Sequence, residues 1–265
     1  MCSLLSETTL NQVPKININM KWLIPLATAA LGVWTWAVDR ERERKKERAR
    51  LSALYVNPFL SACEDLQSRI YSILEHGGLP TLRKRYPDGS YAEETLYLIV
   101  RYFGWAVAVE RHGQYTENPV VMQLGSAVRH AFSRSTSAQQ VGPFNFFQPE
   151  QKALGKLVMT TKEGQLGVEP ESISYYEFKR RLDSPPLCES DSLTETLEAL
   201  RNADEVENLP GRHRLAEVQS HLVELLSYIE GKVGYSLFDG ERKKCRRLTP
   251  ARAAADNASL SAPSP

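Results

Sequence analysis

The sequence lacks the short motifs that mark many catalytic and metal sites. It contains no HExxH, CxxC or GxSxG pattern, and Gly155-Lys156 is followed by Leu157 rather than by the serine or threonine of a phosphate-binding loop. These absences exclude the classes of enzyme that depend on those motifs. The sequence accordingly predicts no catalytic residue, no metal ligand and no cofactor, but an enzyme site assembled from scattered residues stays open.

The chain also has few cysteines and almost no net charge. The four cysteines, Cys2, Cys63, Cys188 and Cys245, are too far apart for a zinc ligand set or a compact disulfide framework. The net charge of +1 gives the chain as a whole no attraction for nucleic acid. A specific nucleic acid is therefore not among the predicted partners.

Long apolar runs are limited to one uncharged stretch, from Trp22 to Val38. An α-helix of that length rises about 25 Å, slightly less than a hydrocarbon core of about 30 Å. Trp22 at one end, with Trp34 and Trp36 near the other, suits the two membrane interfaces, where indole rings concentrate. We predict that residues 22–38 form an uncleaved transmembrane anchor.

Two other interpretations of this run are weaker. Ala27-Thr28-Ala29 has the small-x-small form of a signal-peptide cleavage site, but cleavage there would leave an apolar region of only about five residues. A buried helix of a soluble core is the second interpretation. The dense charge directly after Val38 argues against it, because such charge is typical of a membrane exit.

Basic residues on the two sides of the run predict its orientation. Lys15 and Lys21 precede it, whereas seven basic side chains follow it within residues 39–50. Those seven are Arg40, Arg42, Arg44, Lys45, Lys46, Arg48 and Arg50. Since Lys and Arg are enriched on the cytoplasmic side of membranes, the short N-terminal segment 1–21 is predicted to lie outside and the C-terminal region in the cytosol.

The charged segment itself is predicted to be a helical stalk over residues 39–56. It is either simply solvated or in contact with anionic lipid headgroups, at about 1 kcal/mol for each well-placed basic residue. On this topology the acceptor sequence Asn257-Ala258-Ser259 would not be glycosylated.

The remainder of the chain is predicted to be all-α, with no pair of strands. Apolar residues recur at helical spacing through a helical domain over residues 57–184 and a helical hairpin over residues 185–235. A basic, disordered tail is predicted over residues 236–265, where the composition shifts to Ala, Ser, Pro and Arg. The segment Leu96–Val109 is apolar on nearly all sides, which indicates the central helix of a bundle.

Helix starts are predicted from proline and from capping boxes. The predicted starts are Asn57-Pro58, Asn118-Pro119, Ser90 with Glu93, Ser174 with Glu177, and Ser192 with Glu195.

Arg101 is the residue most at odds with its surroundings, because it lies within that apolar helix. A buried charge needs a partner, and no acidic side chain of the same helix is close enough, so the partner is predicted on another element. A structural ion pair is the simpler interpretation, and anion binding is the alternative. Together with His112 and His130, Arg101 is also a first candidate for a scattered enzyme site.

A second basic cluster surrounds Cys245. Its charges are Arg242, Lys243, Lys244, Arg246 and Arg247. The cluster is predicted to be a solvated tail, or a membrane-surface patch with an acylated Cys245, or a nuclear-targeting or nucleic-acid patch. The anchor disfavours the last of these.

These patterns favour a single-pass membrane protein with a cytosolic helical domain that binds a protein partner, as an adaptor, scaffold or regulatory subunit. The predicted partners are the lipid bilayer and a protein, and an enzymatic function is uncertain and less favoured. The hairpin over residues 192–231 is the expected partner surface, because its leucine stripe has to be buried somewhere. The alternative function is a membrane-tethered enzyme.

Overall fold

The computed structural model describes residues 20–75, 78–112, 119–133, 142–164, 167–233 and 242–245. For residues 20–28, 30, 112 and 233 it describes the backbone alone. The chain divides into two compact units, residues 1–49 and residues 50–265.

Helix α1, Met20–Leu51, is one helix of 32 residues that carries both the apolar run and the charged segment. Its charged half confirms that the predicted stalk is helical as far as Leu51. Among the parts of the chain that the structure describes, no helix combines the length and the apolar character needed to cross a membrane. The structure therefore gives no support to the transmembrane assignment of residues 22–38, which is carried forward only as a proposal.

A helix begins at the predicted Asn57-Pro58, but Asn57 is itself helical and does not act as an N-cap after a break in the chain. A π-helical turn, Ser52–Val56, joins α1 to α2, Asn57–Glu75, and the Asn57 N–H donates to Ser52 O, five residues back. Pro58 has no N–H and its ring would clash with the carbonyl four residues earlier in a regular α-helix. A π-turn shifts the hydrogen-bond register by one residue just before the proline, which lets the helical path continue.

The 50–265 unit is a helical assembly around one central helix, which confirms the predominantly helical prediction. The helices after α2 are α3 Gly78–Arg85, α4 Ser90–His112, α5 Pro119–Ser133, α6 Gln148–Leu157, α7 Tyr175–Leu182, α8 Asp191–Asn202 and α9 Arg212–Val233. Helices α2, α6, α7 and α8 all pack against α4, while α9 packs against α2 and α5. Leu96, Ile99, Tyr102 and Phe103 of α4 are buried, so the predicted central helix is confirmed.

A β-hairpin lies between α6 and α7 and corrects the purely α-helical prediction. Strand β1, Met159–Gly164, pairs antiparallel with β2, Gly167–Ser172. The hairpin could not be predicted from sequence periodicity. Strand β1 is polar and almost wholly exposed, so it lacks the alternation of apolar and polar residues that marks a half-buried strand.

Helices α8 and α9 do not present the leucine stripe that was expected to form a partner surface. Leu193 and Leu200 of α8, and Leu215 and Leu222 of α9, are at most 1% exposed and belong to the common core. Helix α8 buries its stripe against α4, whereas α9 buries its own against α5 and α2. The leucine stripes are therefore buried within the unit and do not form the exposed apolar surface that was expected over residues 192–231.

Helix caps agree with the predictions at one of three capping boxes. The Ser174 side chain accepts a hydrogen bond from the Glu177 N–H, as predicted. At the start of α4 the Asp88 carboxylate accepts hydrogen bonds from the N–H and the hydroxyl of Ser90. At α8 the cap is Ser190, two residues before the predicted Ser192.

Candidate functional site

The apolar half of α1 presents large side chains to solvent. Leu31, Val33, Trp34 and Trp36 are between 60% and 66% exposed. The Arg40 guanidinium lies 5.0 Å from the centre of the Trp36 ring, a cation–π contact at the border between the apolar and charged halves. The side chain of Trp22 lies outside the described part of the chain.

The basic residues of the stalk form an exposed surface. All seven predicted side chains, from Arg40 to Arg50, are exposed, and Arg42 lies 3.7 Å from the carboxylate of Asp39. Exposed pairs of this kind contribute little to stability.

A cleft of about 560 Å³, here called the cationic cleft, opens on the 50–265 unit. Four elements surround it: the π-turn, α4, α6 and the β-hairpin. Its lining residues are Tyr55, Gly104, Val107, Ala108, Arg111, Gly155, Lys156, Met159, Thr160, Thr161, Val168 and Pro170.

Gly104 of α4 and Gly155 of α6 allow these two helices to cross closely beside the cationic cleft. A Cβ placed on Gly155 would lie 2.7 Å from the Phe103 carbonyl carbon and 2.8 Å from the Gly104 nitrogen. Only a residue without a side chain fits at this contact. Strand β1 begins soon after α6 ends, so the position of α6 at this crossing also sets the position of the β-hairpin beside the cleft.

The register of the hairpin decides which side chains face the cationic cleft. Thr161 is paired with Pro170, and Glu163 with Val168, so these four residues share one face of the two-stranded sheet. Thr161, Pro170 and Val168 line the cleft, whereas Glu163 does not. The opposite face carries Lys162, whose ammonium lies 2.8 Å from the Glu171 carboxylate.

The charge of the cationic cleft is uncompensated within its walls. Arg111 and Lys156 line it, and no aspartate or glutamate does. Neither cation has an ion-pair or hydrogen-bond partner among the residues that the structure describes. No local sequence pattern marks this site, because Arg111, Lys156 and Thr161 lie in separate segments and line one cleft only through the helix crossing and the hairpin.

Arg101 has the partner that was predicted on another element. Its guanidinium donates to the Asp65 carboxylate of α2 at 2.6 Å. It borders a second cleft of about 300 Å³ that also includes Lys162, Glu169 and Glu171, so positive and negative charges are mixed there. A structural ion pair accounts for Arg101.

The structure describes the side chains of two of the three residues suggested for a scattered enzyme site, Arg101 and His130. The imidazole Nδ1 of His130 is exposed and lies 2.7 Å from the Ser126 carbonyl one turn earlier. The His112 side chain lies outside the description. Within the described ranges no group of three His, Cys, Asp or Glu side chains could hold a metal ion.

Part of the predicted basic tail is docked on the helices, which corrects its description as disordered at residues 242–245. Arg242 is buried between α2 and α9 and pairs with Glu64 and Glu230, the latter at 2.6 Å. The Cys245 N–H donates to the Gln219 side chain, whose amide donates in turn to the Lys243 carbonyl. Lys243 and Lys244 remain exposed, with Lys244 paired to Glu224. Arg246 and Arg247 lie outside the described residues.

Burial of Cys245 argues against its acylation in this docked state. The thiol is 5% exposed, and burial, together with the nearby Glu75 carboxylate, raises the pKa of Cys245 to about 12. Burial likewise raises the pKa of Cys63, followed in effect by the charge of Glu64. Both thiols are therefore protonated and poorly nucleophilic at neutral pH.

A thiol-labelling experiment checks this docking. In a Cys2→Ser chain treated with a maleimide at pH 8, we expect the exposed Cys188 to react within minutes and Cys63 and Cys245 to react only after unfolding. Mass spectrometry of peptides identifies each labelled site. Labelling of Cys245 in the folded chain at the rate of Cys188 would contradict the docked arrangement.

No local sequence pattern marks a cluster of charges around Glu93, which is 8% exposed. Its carboxylate accepts from Lys179 of α7 and Arg201 of α8, each at 2.7 Å. These contacts tie three helices together, and none of the three residues lines the cationic cleft.

Comparison with known proteins adds no function to this geometry. No protein-family model, curated protein or solved structure matches the chain, and its function has to be argued from its own residues.

Proposed function

We propose that the chain is a single-pass membrane-anchored protein whose 50–265 unit acts as a protein-binding adaptor, scaffold or regulatory subunit at the cytosolic face. The observation that carries the proposal is the exposure of Leu31, Val33, Trp34 and Trp36 on one helix, directly before seven exposed basic residues. In the 50–265 unit, by contrast, most large apolar side chains are buried.

The free-energy cost of exposing large apolar side chains to water supports a lipid bilayer as the environment of this helix. Burying a large apolar side chain contributes about 1.5–3 kcal/mol, so four that stay in water forgo a large stabilisation. A clustered apolar surface of this kind marks an interaction site. The tryptophans and the adjacent arginines are the residue types found at the interface between hydrocarbon and headgroups.

A groove on the 50–265 unit supports the partner-binding part of the proposal. It lies between α4 and α5, has a volume of about 40 Å³, and is walled mainly by apolar side chains that include Phe59, Val109 and Met122. Val120 and Met122 are exposed beside it, and the Glu110–Arg129 ion pair lies at its edge. We propose that this groove binds one small apolar side chain of a protein partner. It replaces the buried leucine stripes of α8 and α9 as the proposed partner surface.

Alkaline carbonate extraction of cell membranes tests the anchor. The full chain is expected to stay in the membrane pellet, and Leu31→Arg/Val33→Arg to be released, because each arginine at a helix centre costs about 2.5–3.5 kcal/mol of insertion free energy. Val120→Arg/Met122→Arg is the matched control and should stay in the pellet. Release of the unaltered chain into the soluble fraction would contradict the proposed transmembrane anchor.

The same control variant tests the groove. A protein that co-purifies with the full chain and with Leu31→Arg/Val33→Arg, but not with Val120→Arg/Met122→Arg, would support a partner seated there. Equal recovery from all three chains would contradict this assignment.

A further inference from the structure

We infer that the cationic cleft is a binding site for a phosphate-bearing ligand with an apolar portion. The inference does not depend on the membrane anchor, because every residue that carries it belongs to the 50–265 unit.

The positive charge of the cationic cleft favours an anionic ligand. Arg111 and Lys156 come from two different helices and line the same space, with no acidic lining residue and no described partner. Like charges that share a cleft repel one another, and low-dielectric walls strengthen the resulting potential. A bound anion relieves that repulsion and gains a charge-assisted hydrogen bond from each cation.

The number of donors favours phosphate over carboxylate. Besides the guanidinium and the ammonium, Thr161 lines the cleft and carries a hydroxyl on the same face of the hairpin as Val168 and Pro170. A carboxylate offers two oxygens, whereas a phosphate group offers three strong acceptors at higher charge and can engage donors from several walls at once.

The other walls favour a ligand that is more than a bare ion. Val107 and Ala108 of α4, Met159 and Val168 of the hairpin, and Pro170 form apolar surface beside the cations. A volume of about 560 Å³ lies within the usual range of small-molecule sites, about 300–1,000 Å³. This pairing of donors with apolar walls fits a phosphorylated amphiphile, either a phospholipid headgroup region or a soluble phosphorylated molecule.

Two binding measurements on the full chain in mild detergent test the inference and separate the two sources. Native mass spectrometry with added dioleoyl phosphatidate, against phosphatidylcholine, probes a lipid. Calorimetric titration with inorganic phosphate and with glycerol 3-phosphate probes a soluble ligand. We expect saturable binding of at least one phosphate probe, and which probe binds identifies the source.

The variant Arg111→Gln/Lys156→Gln is expected to bind that probe roughly 10- to 100-fold more weakly, the range for losing hydrogen bonds to charged groups. Lys84→Gln/Lys232→Gln removes the same charge from exposed positions outside the cleft and should bind as the unaltered chain does. Thermal unfolding by circular dichroism verifies that both variants fold. Absence of binding by every phosphate probe, or equal binding by the two variants, overturns the inference.

Discussion

Replacing Arg242 with methionine is expected to destabilise the 50–265 unit by about 3–5 kcal/mol. The side chain is 4% exposed, and its guanidinium binds Glu230 through two nitrogens and also pairs with Glu64. Methionine fills much of the space but removes the positive charge that pairs with the two largely buried carboxylates. Urea unfolding of the full chain in mild detergent, followed by circular dichroism, measures the change.

Two further chains show whether this loss arises from the buried charges. Lys244→Met removes an exposed pair two residues away and should change stability by no more than about 1 kcal/mol. In a Glu64→Gln/Glu230→Gln background, Arg242→Met should cost clearly less than in the unaltered chain, because the carboxylates are gone. A cost for Arg242→Met as small as that for Lys244→Met would contradict the docked position of residues 242–245.

Replacing Gly155 with alanine is expected to lower the free energy of unfolding by about 1–3 kcal/mol. The added methyl would meet the backbone of Phe103 and Gly104 at 2.7–2.8 Å, and backbone cannot swing aside as a side chain can. Helices α4 and α6 would have to separate. This outweighs the gain of about 1 kcal/mol that alanine normally brings to a helix interior.

Gly125→Ala is the matched control, because Gly125 also lies inside a helix but has nothing within 4 Å of an added Cβ. It should stabilise the unit by about 0.5–1 kcal/mol through helix propensity alone. Opposite signs for the two substitutions, read from urea midpoints, support the close crossing. A stabilising Gly155→Ala would show that α4 and α6 do not approach as described.

Local sequence patterns predicted the features that depend on local physics. The apolar character of Leu96–Val109 identified α4 as the central helix, and the isolation of Arg101 within it required a partner on another element, found in Asp65. Ser174 likewise caps α7 as its spacing from Glu177 indicates.

Features built from distant segments left no such signal. Glu64 and Arg242 are far apart in the chain, so nothing local distinguishes a buried Arg242 from the exposed Lys243 beside it. The same holds for Arg111 and Lys156, which become neighbours only because Gly155 permits a close crossing. The start of α2 at Asn57-Pro58 was predicted, but the π-turn that joins it to α1 was not, because Asn-Pro in isolation favours a free helix start.

The proposed anchor places the 50–265 unit on the cytosolic side of the membrane, and protease treatment of sealed membranes tests that placement. The full chain is translated with sealed microsomes, and protease is added outside with and without detergent. For a cytosolic unit, we expect residues 50–265 to be digested without detergent and Asn257 to carry no glycan. Protection of that unit until detergent is added, or glycosylation of Asn257, would contradict it.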